Sequence, residues 1–367
     1  MTDETTPEPD RVPGAPHPRE TPRIFGQDAA IAEFTGAALA HRLHHGWLIT
    51  GPRGTGKATL AWTIARWLLS DGTAPDLSVS PDHPVARRIL ALSEPRLHLV
   101  RRGVDDKTGR LRSEITVEEI RRLLTFFHMS AAEGGRRVAL IDAADEMNAS
   151  AANAVLKLLE EPPQGAVLLL VAHQPARLLP TIRSRCRTLR LAPLSPDDMA
   201  AALAPLDVAG DPARLAALAA GSVGEALRLS GQDGLARYQQ IVDLFDTLPR
   251  MDRPRAAALA DAAGARPSAE GDPFDLTMTL LDRFLSRAAR AGLMGPPLPE
   301  AADREGAALA RLSPDDRAAR GWAAAQAALS ARARRGRAVN LDPAALVMDM
   351  LMTLAQGSDA GDAAALG

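Results

Sequence analysis

The segment GPRGTGK, residues 51–57, decides the fold of this chain. An apolar run, Trp47–Thr50, precedes it, and a predicted helix, Ala58–Leu69, follows it. Strand, glycine-rich loop and helix in this order are the context in which a GxxxxGK motif holds phosphate with its backbone N–H groups. The helix adds its positive N-terminal end, and Lys57 would reach the outer phosphates. A glycine turn with a chance lysine does not account for that order, so we predict a phosphate loop.

The position after the lysine departs from the motif. A serine or threonine there would ligate Mg²⁺, whereas this chain has Ala58. Thr59 comes one residue late and is rotated by about 100° around the helix, which makes it a poor substitute. We therefore expect a degenerate site that can hold ATP or ADP but supports Mg²⁺ poorly.

A second nucleotide motif, Val138–Asp142, is an apolar strand that ends in an acid, the Walker B pattern. Asp142 should face the loop, as a magnesium contact or as a partner for the loop lysine. In a working ATPase of this type a glutamate follows and orients the attacking water, but here Ala143 follows. The remaining alternative is that Asp145 or Glu146 takes over through a local bulge. We predict no protein metal site, and the predicted nucleotide contacts are Gly51, Gly54, Thr55, Gly56, Lys57, Thr59 and Asp142.

Apolar runs and helical segments alternate up to about residue 192. This alternation predicts an α/β fold with a mostly parallel sheet that is covered on both faces. Residues 71–96 are rich in proline and glycine and predict irregular structure. From about Pro193 strands vanish and alanine-rich helical segments dominate. The acidic, proline-rich residues 1–20 predict a disordered N-terminal arm, and residues 357–367 predict a flexible tail.

Two further segments carry a family resemblance: NAVLKLLEEPP at residues 153–163 and TIRSRCR at residues 181–187. Together they resemble the bacterial clamp-loader AAA+ proteins, the gamma/tau and delta-prime subunits of the DNA polymerase III holoenzyme. Phe25–Gln27 is similar to the family's entry motif near the adenine pocket. The resemblance covers most of residues 21–230. It implies a RecA-like AAA+ nucleotide-binding core over 21–192, a small helical lid over 193–232 and an all-α collar for oligomerisation over 233–356.

Within this family, the departures from the ATPase motifs favour the delta-prime type. The gamma subunit resembles a full ATPase, and where it places an arginine that senses the γ-phosphate this chain has Gly224. Gamma and many delta-prime subunits carry a four-cysteine zinc module in the place of residues 70–97, which contain no cysteine here. His83 and His98 alone cannot replace such a site, so we expect no zinc.

Arg185, in the SRC triplet, is the predicted catalytic residue. The resemblance implies an arginine finger that acts in trans on a nucleotide in a neighbouring subunit, and the planar, permanently charged guanidinium suits that task. The alternative is a surface arginine that pairs with a nearby acid. Cys186 is predicted to be a small buried hydrophobe rather than a nucleophile. His173 either supplies a first-sensor polar group or is a capping or surface histidine.

The resemblance implies a stator, a delta-prime subunit that assists ATP-dependent loading of the sliding clamp onto primed DNA. We expect no ATPase or polymerase chemistry of its own, only membership of the DNA-directed DNA polymerase III holoenzyme. The implied partners are the gamma/tau and delta subunits, the sliding clamp, and primed DNA through the complex, in the cytoplasm and without a membrane. The alternative within the family is a gamma/tau-type motor ATPase. From another class, the alternative is a stand-alone AAA+ nucleotide-binding module such as a helicase loader.

Composition narrows these options. A chain of 367 residues is long enough for two or three domains. Its net charge of −2 argues against a strongly basic nucleic-acid coat, although Arg101, Arg102 and the arginines of 110–122 could face DNA instead of being solvated surface charges. One cysteine excludes an internal disulfide and a multi-cysteine zinc site within the chain. No apolar run approaches the roughly 20 residues of a membrane span.

Overall fold

The computed structural model describes residues 8, 11–12, 15–105, 109–128, 135–268 and 271–359 of the chain. Its contacts divide it into two compact units. The first unit holds residues 1–202 together with 221–224, and the second holds 203–220 and everything from 225 onward. The division into core, lid and collar stays a prediction, because these two units cut across the predicted lid.

The first unit is built on a parallel sheet. Its five strands lie in the order β2-β3-β4-β1-β5, and every neighbouring pair is parallel. Each strand therefore returns to the same edge through a crossover, which is the connection that parallel strands require. The strands are β1 (Gly46–Thr50), β2 (Leu97–Val100), β3 (Arg137–Asp142), β4 (Ala166–Ala172) and β5 (Arg187–Arg190).

Helices cover both faces of this sheet. Alternate residues along each strand point to opposite faces, so Trp47 and Ile49 enter one apolar cluster while Leu48 enters the other. The first cluster holds α1, α2 and α3, and the second holds α4, α5 and α6. The predicted doubly covered parallel sheet is thus confirmed. These helices are α1 (Asp28–Leu39), α2 (Lys57–Leu69), α3 (Pro84–Leu90), α4 (Val117–His128), α5 (Ala149–Glu160) and α6 (Pro180–Ser184).

One helix lies where the sequence predicts irregular structure. Helix α3 occupies residues 84–90, inside the predicted irregular segment 71–96. His83 caps it, because the Nδ1 atom of His83 accepts a hydrogen bond from the N–H of Val85 at 3.3 Å. Proline at the first helical position needs no N–H partner. The same proline that suggested a break therefore starts a short helix.

The N-terminal arm also differs from its prediction where it is described. His17 is fully buried and its ring meets Trp62 edge-on, with 6.0 Å between ring centroids. Arg66 donates to the carbonyl oxygen of Arg19 at 2.7 Å. Arg19 also pairs with Glu8 at 2.6 Å. Residues 15–20 are held against α2 because these contacts offset the entropy of ordering a polar segment.

The second unit is helical. Aromatic side chains form its centre, where the rings of Phe245 and Phe284 lie 4.5 Å apart. Helix α7 (Pro196–Leu203) crosses the division between the units, and α9 starts in the first unit. The other bounds are α8 (Pro212–Ala219), α9 (Val223–Gly231), α10 (Gly234–Phe245), α11 (Arg253–Ala263), α12 (Pro273–Met294), α13 (Glu305–Leu312), α14 (Asp316–Ala338) and α15 (Pro343–Asp359).

A buried ion pair links three helices of this unit. Glu305 is fully buried and accepts hydrogen bonds from Arg287 at 2.5 and 2.9 Å and from the hydroxyl of Tyr238 at 2.6 Å. The N–H of Ala301 adds a further bond at 2.6 Å. A buried carboxylate with this many partners is satisfied. Among the described residues, no helix is both long and apolar enough to cross a membrane.

Candidate nucleotide site and arginine finger

The predicted phosphate loop lies at the carboxyl edge of the sheet. It follows β1 directly, and Lys57 is the first residue of α2. Gly54 and Gly56 have φ angles of +74° and +91°, a region that glycine adopts without strain. The hydroxyl of Thr55 donates to the carbonyl oxygen of Pro52 at 2.9 Å. The loop therefore has the turn that converging N–H groups require.

Lys57 faces its own loop. Its Nζ atom donates to the carbonyl oxygens of Gly51 and Pro52 at 2.9 and 2.5 Å, and the residue is buried. Burial lowers the pKa of Lys57 to about 8, and the nearby charges of Asp142 and Asp145 offset part of that effect. The two contacts use two of the three N–H donors of the ammonium group.

The position after Lys57 supplies no side-chain oxygen. Ala58 and Thr59 occupy the second and third positions of α2. Thr59 is half-buried, and its carbonyl oxygen accepts a hydrogen bond from the hydroxyl of Thr63 at 2.8 Å. The glycines and Lys57 suit a phosphate group, whereas Ala58 offers nothing to a magnesium ion.

Asp142 ends β3 and is buried at the same edge of the sheet. It lies close enough to Lys57 for its charge to act on the pKa of that lysine. Ala143 follows it and is buried. The structure thus brings the loop lysine and the Walker B aspartate together. The next position, where a water-orienting acid would be expected, holds the methyl side chain of Ala143.

Asp145 and Glu146 are both engaged in structural contacts. The two carboxylate oxygens of Asp145 accept hydrogen bonds from the backbone N–H groups of His173 and Gln174, each at 2.9 Å. Glu146 pairs with Arg102 at 2.8 Å. A general base must be free to accept a proton from water. The local-bulge alternative therefore finds no support, because both candidate acids already hold other groups.

The segment 221–224 packs directly on the phosphate loop. The N–H of Gly224 donates to the carbonyl oxygen of Gly54 at 3.3 Å. A Cβ atom at 224 would come 3.1 Å from the Cα atom of Gly54, and a Cβ atom at 54 would come 2.1 Å from the hydroxyl of Ser222. At 54 the positive φ angle and the nearness of Ser222 favour glycine, and at 224 a side chain would require the loop to shift by a few tenths of an ångström. Position 224, where the gamma type places a sensing arginine, is thus closely packed against Gly54 in this chain.

Gln27 joins the entry motif to the loop. Its side-chain amide donates to the carbonyl oxygens of Thr55 at 3.2 Å and of Ala192 at 2.9 Å, and the residue is buried. Both acceptors are backbone groups at the carboxyl edge, so Gln27 fixes the loop to the end of β5. The sequence located this motif without predicting its contacts.

His173 lies just after β4, at the same edge. Its ring Nδ1 atom is buried and has no hydrogen-bond partner among the described residues. Burial, followed by the charges of Lys57 and Arg53, lowers the pKa of His173 to about 4. The imidazole is therefore neutral at physiological pH and lies close enough to the loop lysine to be affected by its charge. This placement suits a first-sensor position better than a surface histidine.

Arg185 lies at the opposite edge of the sheet from the loop. It precedes β5, whose residue Arg187 is paired with Trp47 near the start of β1. The loop follows the other end of β1, after Thr50. Five strand residues at about 3.3 Å each separate the two edges by roughly 15 Å. Arg185 cannot serve the nucleotide site of its own chain across that distance.

The guanidinium of Arg185 has two local partners. One nitrogen pairs with the carboxylate of Glu160 at 3.0 Å, and another donates to the carbonyl oxygen of Thr181 at 3.1 Å. About 37% of the Arg185 side chain remains exposed. The local pairing with an acid that was the alternative to a finger thus exists, and it leaves the guanidinium at the surface. Glu160 lies within the segment 153–163 that carries the family resemblance, but its contact with Arg185 was not predicted. An acid at the carboxyl end of a helix is the signal for a nearby cation.

The remaining predicted residues have structural surroundings. Burial raises the pKa of the Cys186 thiol to about 12, as suits a buried hydrophobe and not a nucleophile. His83 caps α3, and His98 stacks on Phe126. Within the described residues, no three His, Cys, Asp or Glu side chains are grouped as metal ligands.

The arginines that could face DNA have acidic neighbours. Arg101 pairs with Glu8 at 3.3 Å, and Arg102 pairs with Glu146. Arg121 and Arg122 lie within ion-pair distance of glutamates one turn away on α4. These contacts favour local pairing and solvation over a prepared DNA surface.

Comparison with known proteins agrees with this geometry. A family model described as DNA polymerase III, delta subunit, matches residues 26–195. Over these residues the chain is similar to the delta' subunits of DNA polymerase III. The delta' subunit of Bacillus subtilis is 35% identical over 211 residues, covering 56% of this chain and 60% of that protein. The delta' subunit of Pseudomonas aeruginosa is 37% identical over 225 residues, covering 60% and 65%.

The chain is also similar to gamma-type subunits, at a lower sequence identity. A gamma subunit of DNA polymerase III from Buchnera aphidicola is 30% identical over 182 residues, covering 50% of this chain and 47% of that protein. The chain spans less than two thirds of the length of these delta' relatives. The family resemblance that the motifs at 153–163 and 181–187 suggested is thus confirmed.

Proposed function

We propose that this chain is the delta-prime stator subunit of a bacterial clamp loader and works in the cytoplasm with gamma/tau and delta subunits. In this role it assists ATP-dependent placement of the sliding clamp on primed DNA, which it reaches through the complex. Its own contribution to the chemistry is Arg185, which acts on ATP bound to a neighbouring subunit. The match to the family model over residues 26–195 and the similarity to delta' subunits support this assignment.

The observation that carries the proposal is the position of Arg185. It is exposed at the amino edge of the sheet, away from the phosphate loop of the same chain. A neighbouring subunit that docks there brings its own nucleotide to the guanidinium. The positive charge then stabilises the charge that develops on the γ-phosphate.

The chain's own nucleotide site supports a helper over a motor. The loop glycines and Lys57 can hold the phosphates of ATP or ADP, with Asp142 nearby. Ala58 supplies no magnesium ligand, and Asp145 and Glu146 hold other groups. Hydrolysis needs both a metal contact and an oriented water, so we propose that the chain does not turn over ATP.

The proposal is tested with a reconstituted complex that carries Arg185→Ala in this subunit alone. Removing an arginine finger costs on the order of 10³–10⁵ in rate at a single isolated site, and a ring with several motor sites loses less overall. The matched control is Arg183→Ala, since Arg183 is exposed one position before Ser184 on the same short helix. Arg185→Lys should rescue poorly, because an ammonium lacks the planar fork.

The readouts are ATP hydrolysis and clamp loading, with assembly confirmed by size-exclusion chromatography. We expect both rates to fall with Arg185→Ala and to stay unchanged with Arg183→Ala. Equal rates for wild type and Arg185→Ala in an intact complex would refute the finger.

A further inference from the structure

The base of the arginine finger is a close junction of three elements. A Cβ atom at Gly46 would lie 2.9 Å from the side chain of Leu159, and 3.4 Å from both the carbonyl oxygen of Arg185 and the Sγ atom of Cys186. β1, the end of α5 and the SRC triplet therefore meet closely at Gly46, where an added Cβ atom would displace the end of the Leu159 side chain. The ring of His45 adds a hydrogen bond between its Nε2 atom and the carbonyl oxygen of Leu159 at 3.0 Å. The end of α5 is therefore fixed relative to the backbone of the finger.

Glu160 stands at an unfavourable place for an acid. It is the last residue of α5, and Glu161 follows it as the C-cap. The carboxyl end of a helix carries partial negative charge and favours cations, so an acid there is destabilising unless a cation offsets it. Arg185 provides that cation at 3.0 Å. The pair thus offsets the repulsion between the Glu160 carboxylate and the partial negative charge at the carboxyl end of α5.

The two contacts of Arg185 use only part of its donor capacity. A guanidinium has five N–H donors in a fixed plane. Glu160 and the carbonyl oxygen of Thr181 each engage one terminal nitrogen. The remaining donors stay available to a phosphate while the guanidinium keeps both contacts. Holding the plane at two points restricts its rotation before any partner docks.

We infer that Glu160 is a positioning residue for the finger: its carboxylate holds the Arg185 guanidinium in the orientation that a neighbouring subunit's triphosphate requires. The inference rests on the proposed function of Arg185. Glu160 touches no reacting atom, and it acts by lowering the conformational freedom that Arg185 would lose when a phosphate binds. The phosphate therefore meets an arginine that is already ordered.

The expected size of the effect follows from the exposure of the pair. The Arg185 and Glu160 side chains are 37% and 49% exposed, and ion pairs at such positions correspond to roughly a 1.5- to fivefold change in an equilibrium or rate. Glu160→Ala should therefore lower the kcat of the neighbour's ATP hydrolysis by about two- to fivefold. The KM for ATP should change little, because the neighbour's own contacts bind the nucleotide. Glu160→Gln should retain part of the rate, since an amide oxygen still accepts from the guanidinium.

The experiment is a double-mutant cycle in the reconstituted complex. It compares wild type, Glu160→Ala, Arg185→Ala and the double variant, with Glu161→Ala as the control for an exposed acid at the same helix end. The inference requires that Glu160→Ala lowers kcat when Arg185 is present and has no further effect when Arg185 is absent. Glu161→Ala should behave as wild type.

The outcomes separate the inference from the proposed function. If Arg185→Ala changes nothing, the finger itself is refuted and the inference falls with it. If Arg185→Ala lowers kcat but Glu160→Ala does not, only the positioning role is refuted. A rise in kcat with Glu160→Ala would show instead that the carboxylate competes with phosphate, which also overturns the inference.

A second measurement uses the isolated chain and needs no partner. The Nε–H group of Arg185, assigned in NMR spectra from its loss in Arg185→Lys, should show ordered relaxation in wild type and in Glu161→Ala. In Glu160→Ala its order should fall to that of a free surface arginine. An Arg185 group that is equally mobile with and without Glu160 would overturn the inference whatever the activity of the complex.

Discussion

Replacement of Asp145 distinguishes a structural acid from a catalytic one. In Asp145→Ala the backbone N–H groups of His173 and Gln174 lose their carboxylate acceptor, to which each bonds at 2.9 Å. Hydrogen bonds to charged groups contribute about 1.5–3 kcal/mol each. Gln174 is exposed, so water can replace one of the two bonds. We therefore expect the free energy of unfolding of the first unit to fall by about 2–4 kcal/mol.

Tryptophan fluorescence during urea unfolding measures this loss. Trp47, Trp62 and Trp67 are buried in the first unit and account for three of the chain's four tryptophans, so the signal reports mainly on that unit. With an m value of about 2 kcal/mol/M, the midpoint should move down by roughly 1–2 M.

The matched control is Glu146→Ala, which removes a partly exposed pair with Arg102 and should cost no more than about 1 kcal/mol. A midpoint for Asp145→Ala equal to that of wild type would refute the structural role. If that variant also lost ATP hydrolysis that wild type possesses, Asp145 would be a catalytic acid.

Two further predictions concern titratable groups at buried positions. The pKa of Lys57 is about 8 in the folded chain, against an ordinary value of 10.5. Between these two pH values the unfolded chain therefore binds more protons than the folded chain. The free energy of unfolding of wild type should thus rise with pH in that window, relative to that of Lys57→Met. A pH-independent difference in unfolding free energy between the two proteins would contradict this. The Cys186 thiol, with its pKa raised to about 12, should react with iodoacetamide at pH 8 on the order of 100-fold more slowly than a cysteine peptide. Equal rates in the folded chain and in urea would show that the thiol is not protected.

Sequence patterns predicted the parts of this molecule that depend on near neighbours. The strand β4 is seven consecutive apolar residues bounded by turns, and it is buried along its whole length. The phosphate loop is recognised from its glycine spacing between a strand and a helix, and its glycines adopt positive φ angles. Both features depend on residues that are close together in the sequence, so composition and hydrophobic periodicity are enough to find them.

Contacts between distant positions were not predictable in the same way. Asp145 caps residues 28 and 29 positions later, and Arg101 pairs with Glu8, 93 positions earlier. Neither pair carries a spacing that a single sequence reveals. Helix α3 is a different case, since proline after a capping residue is a helix-start signal. The many prolines and glycines of residues 71–96 led to a prediction of irregular structure, although the helix-start signal at His83 and Pro84 was present.

The contact between Gly54 and Gly224 has a consequence for any side chain introduced at position 224. A Cβ atom there would lie 3.1 Å from the Gly54 Cα atom, so the phosphate loop and the segment 221–224 would have to move apart by a few tenths of an ångström. That movement would lengthen the hydrogen bond between the Gly224 N–H and the Gly54 carbonyl oxygen, which is already 3.3 Å long. A residue added at 224 therefore changes the phosphate loop as well as the contacts of its own side chain, and its effect on nucleotide binding combines the two.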